Sequence, residues 1–70
     1  MSGSDFLTGQ VTQFDRRIGL GEITDSEGRV WPFHCAMLTD GSRMVAEGTA
    51  VQFRPQFHVT RDEAFEISSL

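Results

Sequence analysis

Short runs of alternating apolar and polar residues fill most of this chain, and residues that favour turns separate them. Side chains along a β-strand alternate between its two faces, so each run is typical of a strand with one buried face. The pattern predicts five strands, with one helical turn at residues 36–38 after the third. The strands are predicted at residues 8–14, 18–23, 29–35, 49–54 and 64–68.

Glycines punctuate the second predicted strand and the turn that follows it. Gly19 and Gly21 alternate, which permits sharp coiling or the close approach of another backbone. Asp25-Ser-Glu-Gly28 predicts a hairpin turn, because Gly28 can adopt a positive φ. Five strands joined by uneven loops, the longest near the middle, predict an all-β, five-stranded antiparallel Greek-key barrel.

The length leaves room for a single domain, since the chain has 70 residues. We expect a solvated N-terminal tail at residues 1–7 and the barrel at residues 8–70. No apolar run approaches the ~20 residues of a membrane-spanning helix, and the first residues lack the basic and apolar regions of a signal peptide. The lone Cys35 excludes an internal disulfide framework. We therefore expect a monomer in the reducing cytoplasm, without membrane contact.

The charge balance does not by itself indicate a nucleic-acid-binding protein. The net charge is −4, and all six basic residues are arginine. Proteins that hold phosphates normally gain affinity from Lys and Arg, which release counterions from the nucleic acid. The field of an acidic chain opposes that approach.

His34 and Cys35 are the nearest approach to a catalytic or metal-binding motif. Adjacent strand residues point to opposite faces, so this pair is not expected to form a catalytic dyad. A structural zinc site needs four ligands, and His58 is the one further soft ligand. Cys35 is predicted to be buried or half-buried. The sequence predicts a protein that is not an enzyme and that needs no metal or cofactor.

Five short sequence motifs, which serve as anchors for the comparison, resemble the cold-shock domain in their order and approximate spacing. They cover about residues 8–68. The anchors are Gly9-x-Val11-x-x-Phe14-Asp15, Gly19-x-Gly21-x-Ile23, Phe33-His34, Gly48-x-x-Val51-x-Phe53 and Glu63-Ala64-x-x-Ile67. The resemblance implies a five-stranded OB-type barrel that binds single-stranded RNA or DNA and has no catalytic residues. In that family, bases stack on aromatic side chains of strands one to three.

Most of that aromatic platform is absent from this chain. The family usually has Trp where Gln13 stands. Its second strand usually reads Lys-Gly-Phe-Gly-Phe-Ile, whereas Leu20 and Glu22 occupy the two Phe positions here. Its third strand usually reads Val-Phe-Val-His-Phe, whereas Pro32 and Cys35 replace the outward Phe residues here. With Ile23, Trp31 and Phe33 facing inward, alternation predicts a retained core and a binding face that has lost its rings.

The residues left on that face each allow two interpretations. His34 either contacts a base or partner or is simply solvated. Phe14 is either a surviving stacking ring or a core residue at the strand end. Arg16 and Arg17 either meet phosphates or form a solvated turn, in which Asp15 offsets part of their charge. The candidate nucleic-acid-binding residues are Phe14, Arg16, Arg17, Leu20 and His34.

Two functions follow from these observations. The first is a cold-shock-like module that binds single-stranded RNA or DNA weakly. The second is a protein-interaction module that kept the barrel and lost nucleic-acid binding. The family resemblance favours the first, and the missing platform, the absence of Lys and the negative charge favour the second.

Overall fold

The computed structural model describes residues 6–39, 41, 44–57 and 62–70, apart from the side chain of Phe57. All five predicted strands are present and every pairing is antiparallel, so this part of the prediction is confirmed. One 3₁₀ turn, Cys35–Met37, follows the third strand. The strands are β1 Leu7–Asp15, β2 Leu20–Asp25, β3 Val30–His34, β4 Ala50–Phe57 and β5 Asp62–Ser69.

The strands form one sheet in the order β3-β2-β1-β4-β5. Its two edges, β3 and β5, contact each other. After the 3₁₀ turn, Leu38 forms an isolated parallel bridge with Ile67 of β5, and Thr39 N donates to Ile67 O at 2.9 Å. Among the described residues no ladder joins β3 to β5, so closure into a barrel is not confirmed.

Among the described residues, nine buried side chains form the hydrophobic core. The alternation of β2 and β3 places Ile23, Trp31 and Phe33 inward, as predicted. The Trp31 ring meets the Phe53 ring at a centroid distance of 5.7 Å and a tilt of 56°. The core comprises Val11, Ile23, Trp31, Phe33, Leu38, Val51, Phe53, Ala64 and Ile67. Within the described residues, no helix has the length and apolar character to cross a membrane.

Every strand end differs from the prediction by one to three residues, and three of these differences have a clear structural cause. β2 begins at Leu20, two residues late, because Gly19 has a φ of +72° and belongs to the preceding turn. β3 ends at His34, where the 3₁₀ turn begins. β4 continues through Pro55, beyond the point at which its ladder with β1 ends at Phe53. Within the described residues, that side of β4 has no ladder partner at Pro55, so a proline can be accommodated. Residues 58–61 of the predicted connection lie outside the described residues.

The hairpin between β2 and β3 is organised by the Asp25 carboxylate. Its Oδ2 accepts from Trp31 Nε1 at 2.9 Å, and its Oδ1 accepts from the backbone N–H groups of Glu27 and Arg29 at 2.8 and 2.9 Å. The Arg29 guanidinium lies 4.6 Å from the Trp31 ring centroid and pairs with Asp62. The indole hydrogen bond, followed by that of the Arg29 backbone, lowers the pKa of Asp25 below its ordinary 3.8. Asp25 thereby links the turn to the core.

Substitution Asp25→Asn is expected to destabilise the fold at pH 7 and to matter less in acid. The pKa of Asp25 is lower in the folded state, so its contribution is present above pH 3.8 and is lost as pH falls through the folded pKa. Urea unfolding of both proteins, followed by circular dichroism at pH 7 and at about pH 2.5, measures the difference. Glu27→Gln, on the same turn, is the control. An equal deficit at both pH values would contradict the role of the ionised carboxylate.

Candidate nucleic-acid interface

A bulge in β1 decides which side chains of the candidate surface face outward. The register between β1 and β2 shifts between Val11 and Gln13, so that Thr12 is an extra residue on β1. Alternation counted from the buried Val11 would place Gln13 inside. Beyond the bulge, Gln13 instead pairs with Glu22 and is exposed. The bulge therefore turns Gln13 onto the outer surface.

Two outward rows of side chains cross β1, β2 and β3 beyond the bulge. Side chains that lie opposite each other in antiparallel strands share a face. The inner row is Gln13, Glu22 and Pro32, and the outer row is Asp15, Leu20 and His34. The two rows are two residues apart, about 7 Å along the strands. The structure thus places four positions with missing rings side by side, at Gln13, Leu20, Glu22 and Pro32. Cys35, whose family position faces outward with them, packs against the core instead.

Phe14 lies in the inward row between these two. Its half-buried ring stacks on that of Phe33, with centroids 6.0 Å apart and an interplanar angle of 10°. Gly21 lies between them in the register, and a Cβ at that position would lie 2.7 Å from Phe33 Cζ and from Gln13 O. The missing side chain makes room for the Phe33 ring. Phe14 therefore packs against the core while still lining the outer groove.

Arg16 and Arg17 lie in the exposed turn between β1 and β2, which backbone hydrogen bonds hold in place. Gly19 N donates to Asp15 O at 2.8 Å, and Arg17 N donates to Asp15 Oδ1 at 2.9 Å. Cys35 N donates to Gly19 O at 2.7 Å, which connects the turn to the end of β3. In the described part of the chain, neither guanidinium forms an ion pair. Both charges are therefore available to a ligand.

His34 is exposed and lies beside this turn. Its Nδ1 accepts from Ala36 N at 3.0 Å, which places the proton of the neutral ring on Nε2. Cys35 Sγ lies 3.9 Å from the same Nδ1. The prediction that the two side chains point apart is therefore wrong, because β3 ends at His34 and the chain turns. Cys35 is half-buried and packs against the core, as predicted.

All five predicted binding residues line one open groove on this surface. Two of the five are arginines, and four carboxylates also line the groove, so its described residues carry a formal charge of two minus four, or −2. Glu47 and Glu63 are the two lining carboxylates that the sequence reasoning missed. Glu47 lies in the loop before β4, where its Oε2 accepts from Phe14 N at 3.2 Å. Glu63 lies on β5. No local sequence pattern relates either residue to β1–β3.

No group of three or more metal-ligating side chains comes together within the described residues. His58, the further ligand considered from the sequence, lies outside them. The expectation of a metal-free protein stays a prediction.

Comparison with solved structures relates this architecture to a known fold. A Drosophila Unr structure, which contains cold-shock domains 4 to 6, superposes with a TM-score of 0.81. The chain has a cold-shock fold. The match covers 97% of this chain and 28% of that chain, at 23% sequence identity. The resemblance to cold-shock domains is thus confirmed for the fold. No family model and no curated protein matches the sequence.

Proposed function

We propose that this chain is a cold-shock-type module that binds single-stranded RNA or DNA weakly through the groove on β1–β3. The groove retains a cationic turn and an exposed imidazole, at Arg16, Arg17 and His34. Among the described residues that line it, the aromatic rings other than the imidazole are Phe14 and Phe33. They stack on each other, and Phe33 is buried. This pairing is the observation that carries the proposal, because it leaves little aromatic surface for bases.

The energetics favour weak binding for two reasons. A stacked base contributes about 1–3 kcal/mol, and the inner row of Gln13, Glu22 and Pro32 presents no ring. Leu20, which is 45% exposed, offers apolar contact without a π-face. The described lining residues carry a formal charge of −2, which also repels phosphates. Contacts of the nucleic acid with the two arginines and the His34 imidazole offset only part of this lost binding free energy.

Fluorescence anisotropy with labelled heptathymidine and heptauridine tests the proposed function. We expect a Kd no tighter than roughly tens of micromolar near physiological salt. Two phosphate contacts would give a slope of log K against log salt no steeper than about −1.4. A nanomolar Kd would contradict this account, since other residues would then have replaced the platform.

A protein-interaction module is the second candidate, and the exposed apolar residues of the groove favour it. Ile18 and Leu20 are 60% and 45% exposed, and they lie in the groove with its four carboxylates. Apolar surface rimmed by charge is typical of protein contacts. Complete absence of oligonucleotide binding at millimolar concentration would favour this candidate.

The proposal also covers barrel closure, oligomeric state, the absence of enzymatic activity and cellular location, which were expected from the sequence. We propose a closed Greek-key barrel, which the contact of β3 with β5 and the Leu38–Ile67 bridge support. We further propose a monomeric, non-enzymatic protein that acts in the cytoplasm, on the basis of its single cysteine and its lack of a catalytic motif.

A further inference from the structure

Charge is distributed unevenly along the groove. The outer end holds Arg16 and Arg17 with the Asp15 carboxylate, a formal charge of two minus one, or +1. Asp15 Oδ1 is already engaged by the Arg17 backbone N–H. The His34 Nε2 donor belongs to the same outer row. The remaining carboxylates among the described lining residues, Glu22, Glu47 and Glu63, have a formal charge of −3.

Glu22 occupies the position that a bound nucleic-acid strand would reach on leaving the outer end of the groove. It is the middle residue of the inner row, about 7 Å along the strands from the outer row. Thr12 Oγ1 lies 3.4 Å from the backbone O of Glu22, so the neighbouring hydrogen bond involves its main chain and not its carboxylate. Two unit charges 4 Å apart in water interact by about 1 kcal/mol, which corresponds to about fivefold in affinity.

Building on the proposed function, we propose that a single strand engages only the Arg16–Arg17–His34 end of the groove, over about two nucleotides, compared with ~4–16 for OB-folds. Glu22 prevents the strand from following the groove farther. A phosphate at the outer end meets the two guanidiniums of the turn and the His34 imidazole donor beside the Asp15 carboxylate, whereas one at the inner row meets a carboxylate beside an amide and a proline. Glu22 is thus the residue that limits the length of the binding site.

Titration of two oligonucleotide lengths against matched charge variants tests this inference. Dithymidine and heptathymidine are titrated into the natural chain, Glu22→Gln and Glu27→Gln, with binding followed by amide chemical shifts in ¹⁵N-labelled protein. Glu27→Gln is the control because it changes the net charge equally from an exposed turn outside the groove. For the natural chain, heptathymidine should bind at most about sixfold more tightly than dithymidine, the statistical gain from six overlapping registers.

The variants separate the contribution of Glu22 from that of overall charge. Glu22→Gln should raise heptathymidine affinity about fivefold and dithymidine affinity less than about twofold. Glu27→Gln should change either affinity less than about twofold. Heptathymidine binding about 100-fold tighter than dithymidine to the natural chain, or an equal gain for both lengths in Glu22→Gln, would overturn the inference alone. Failure of dithymidine alone to bind would likewise overturn only this inference, whereas failure of both oligonucleotides would overturn the proposed function and this inference with it.

Discussion

A variant with Gln13→Trp, Leu20→Phe and Glu22→Phe is expected to bind oligo-dT about 30- to 1,000-fold more tightly than the natural chain. All three positions lie on outward rows of neighbouring strands, so the added rings should not overfill the core. Recovery of about half of the nominal stacking energy corresponds to about 2–4 kcal/mol. Glu22→Phe also removes a carboxylate from the groove.

A matched variant distinguishes stacking from the loss of charge. The double variant Gln13→Leu with Glu22→Leu removes the same carboxylate and adds apolar surface. It keeps the natural Leu20 and introduces no aromatic ring. It should recover about fivefold, the share that charge alone explains. Circular dichroism must first show that both variants are folded, because the new apolar patch can lower solubility. If the folded triple variant still does not bind oligo-dT, the protein-interaction function becomes the better account.

Substitution Trp31→Ala is expected to remove from about a third to all of the stability of the fold. Trp31 is 1% exposed, contacts Phe53 in the core and donates to Asp25. Truncation of a buried Trp costs about 3–5 kcal/mol. A 70-residue domain has about 4–10 kcal/mol in total. Urea unfolding followed by far-ultraviolet circular dichroism is the appropriate measurement, since the variant has lost the one tryptophan of the chain.

The neighbouring Val30→Ala is the control for Trp31→Ala. Val30 lies on the same strand but is 50% exposed, so its truncation should change stability by only about 0.5 kcal/mol. Equal and small effects of the two substitutions would show that the Trp31 ring is not central to the core.

The sequence predicted the number of strands and the inward residues because both depend on alternation. Ile23, Trp31 and Phe33 are buried as β2 and β3 require. Alternation fails at the Thr12 bulge, which changes the face of the residues that follow. Gln13 was expected to face outward only from the family resemblance. The strand pattern alone would have placed it on the side of Val11.

The hairpin turn at Asp25–Gly28 was located correctly, whereas the turn before β2 extends through Gly19, and the hydrogen bonds of the hairpin turn were only partly predictable. An aspartate at the start of a turn often bonds the backbone two residues on, and Asp25 does so with Glu27. Its second oxygen accepts from Trp31. The sequence contains no signal for that contact, because it depends on how the finished hairpin folds over the core.

The candidate site was predicted where it lies on consecutive strands and was incomplete elsewhere. The five chosen residues meet in one groove because β1, β2 and β3 pair in sequence order. Glu47 and Glu63 reach the same groove from a loop and from β5. They double the number of its carboxylates from two to four. The acidity of the groove is thus a tertiary property, whereas the loss of aromatic rings was visible in the sequence.

An amide chemical-shift titration of the ¹⁵N-labelled chain with heptathymidine tests the central claim most directly, since it reports both where a strand binds and how tightly. We expect fast exchange, a Kd of tens of micromolar or weaker, and shifts concentrated at Arg16–Leu20 and His34. The hairpin turn at Ser26–Gly28 should be unaffected, because it lies outside the groove. Slow exchange with a nanomolar Kd, or shifts confined to residues outside the groove, would contradict the account of a retained fold with a depleted binding face.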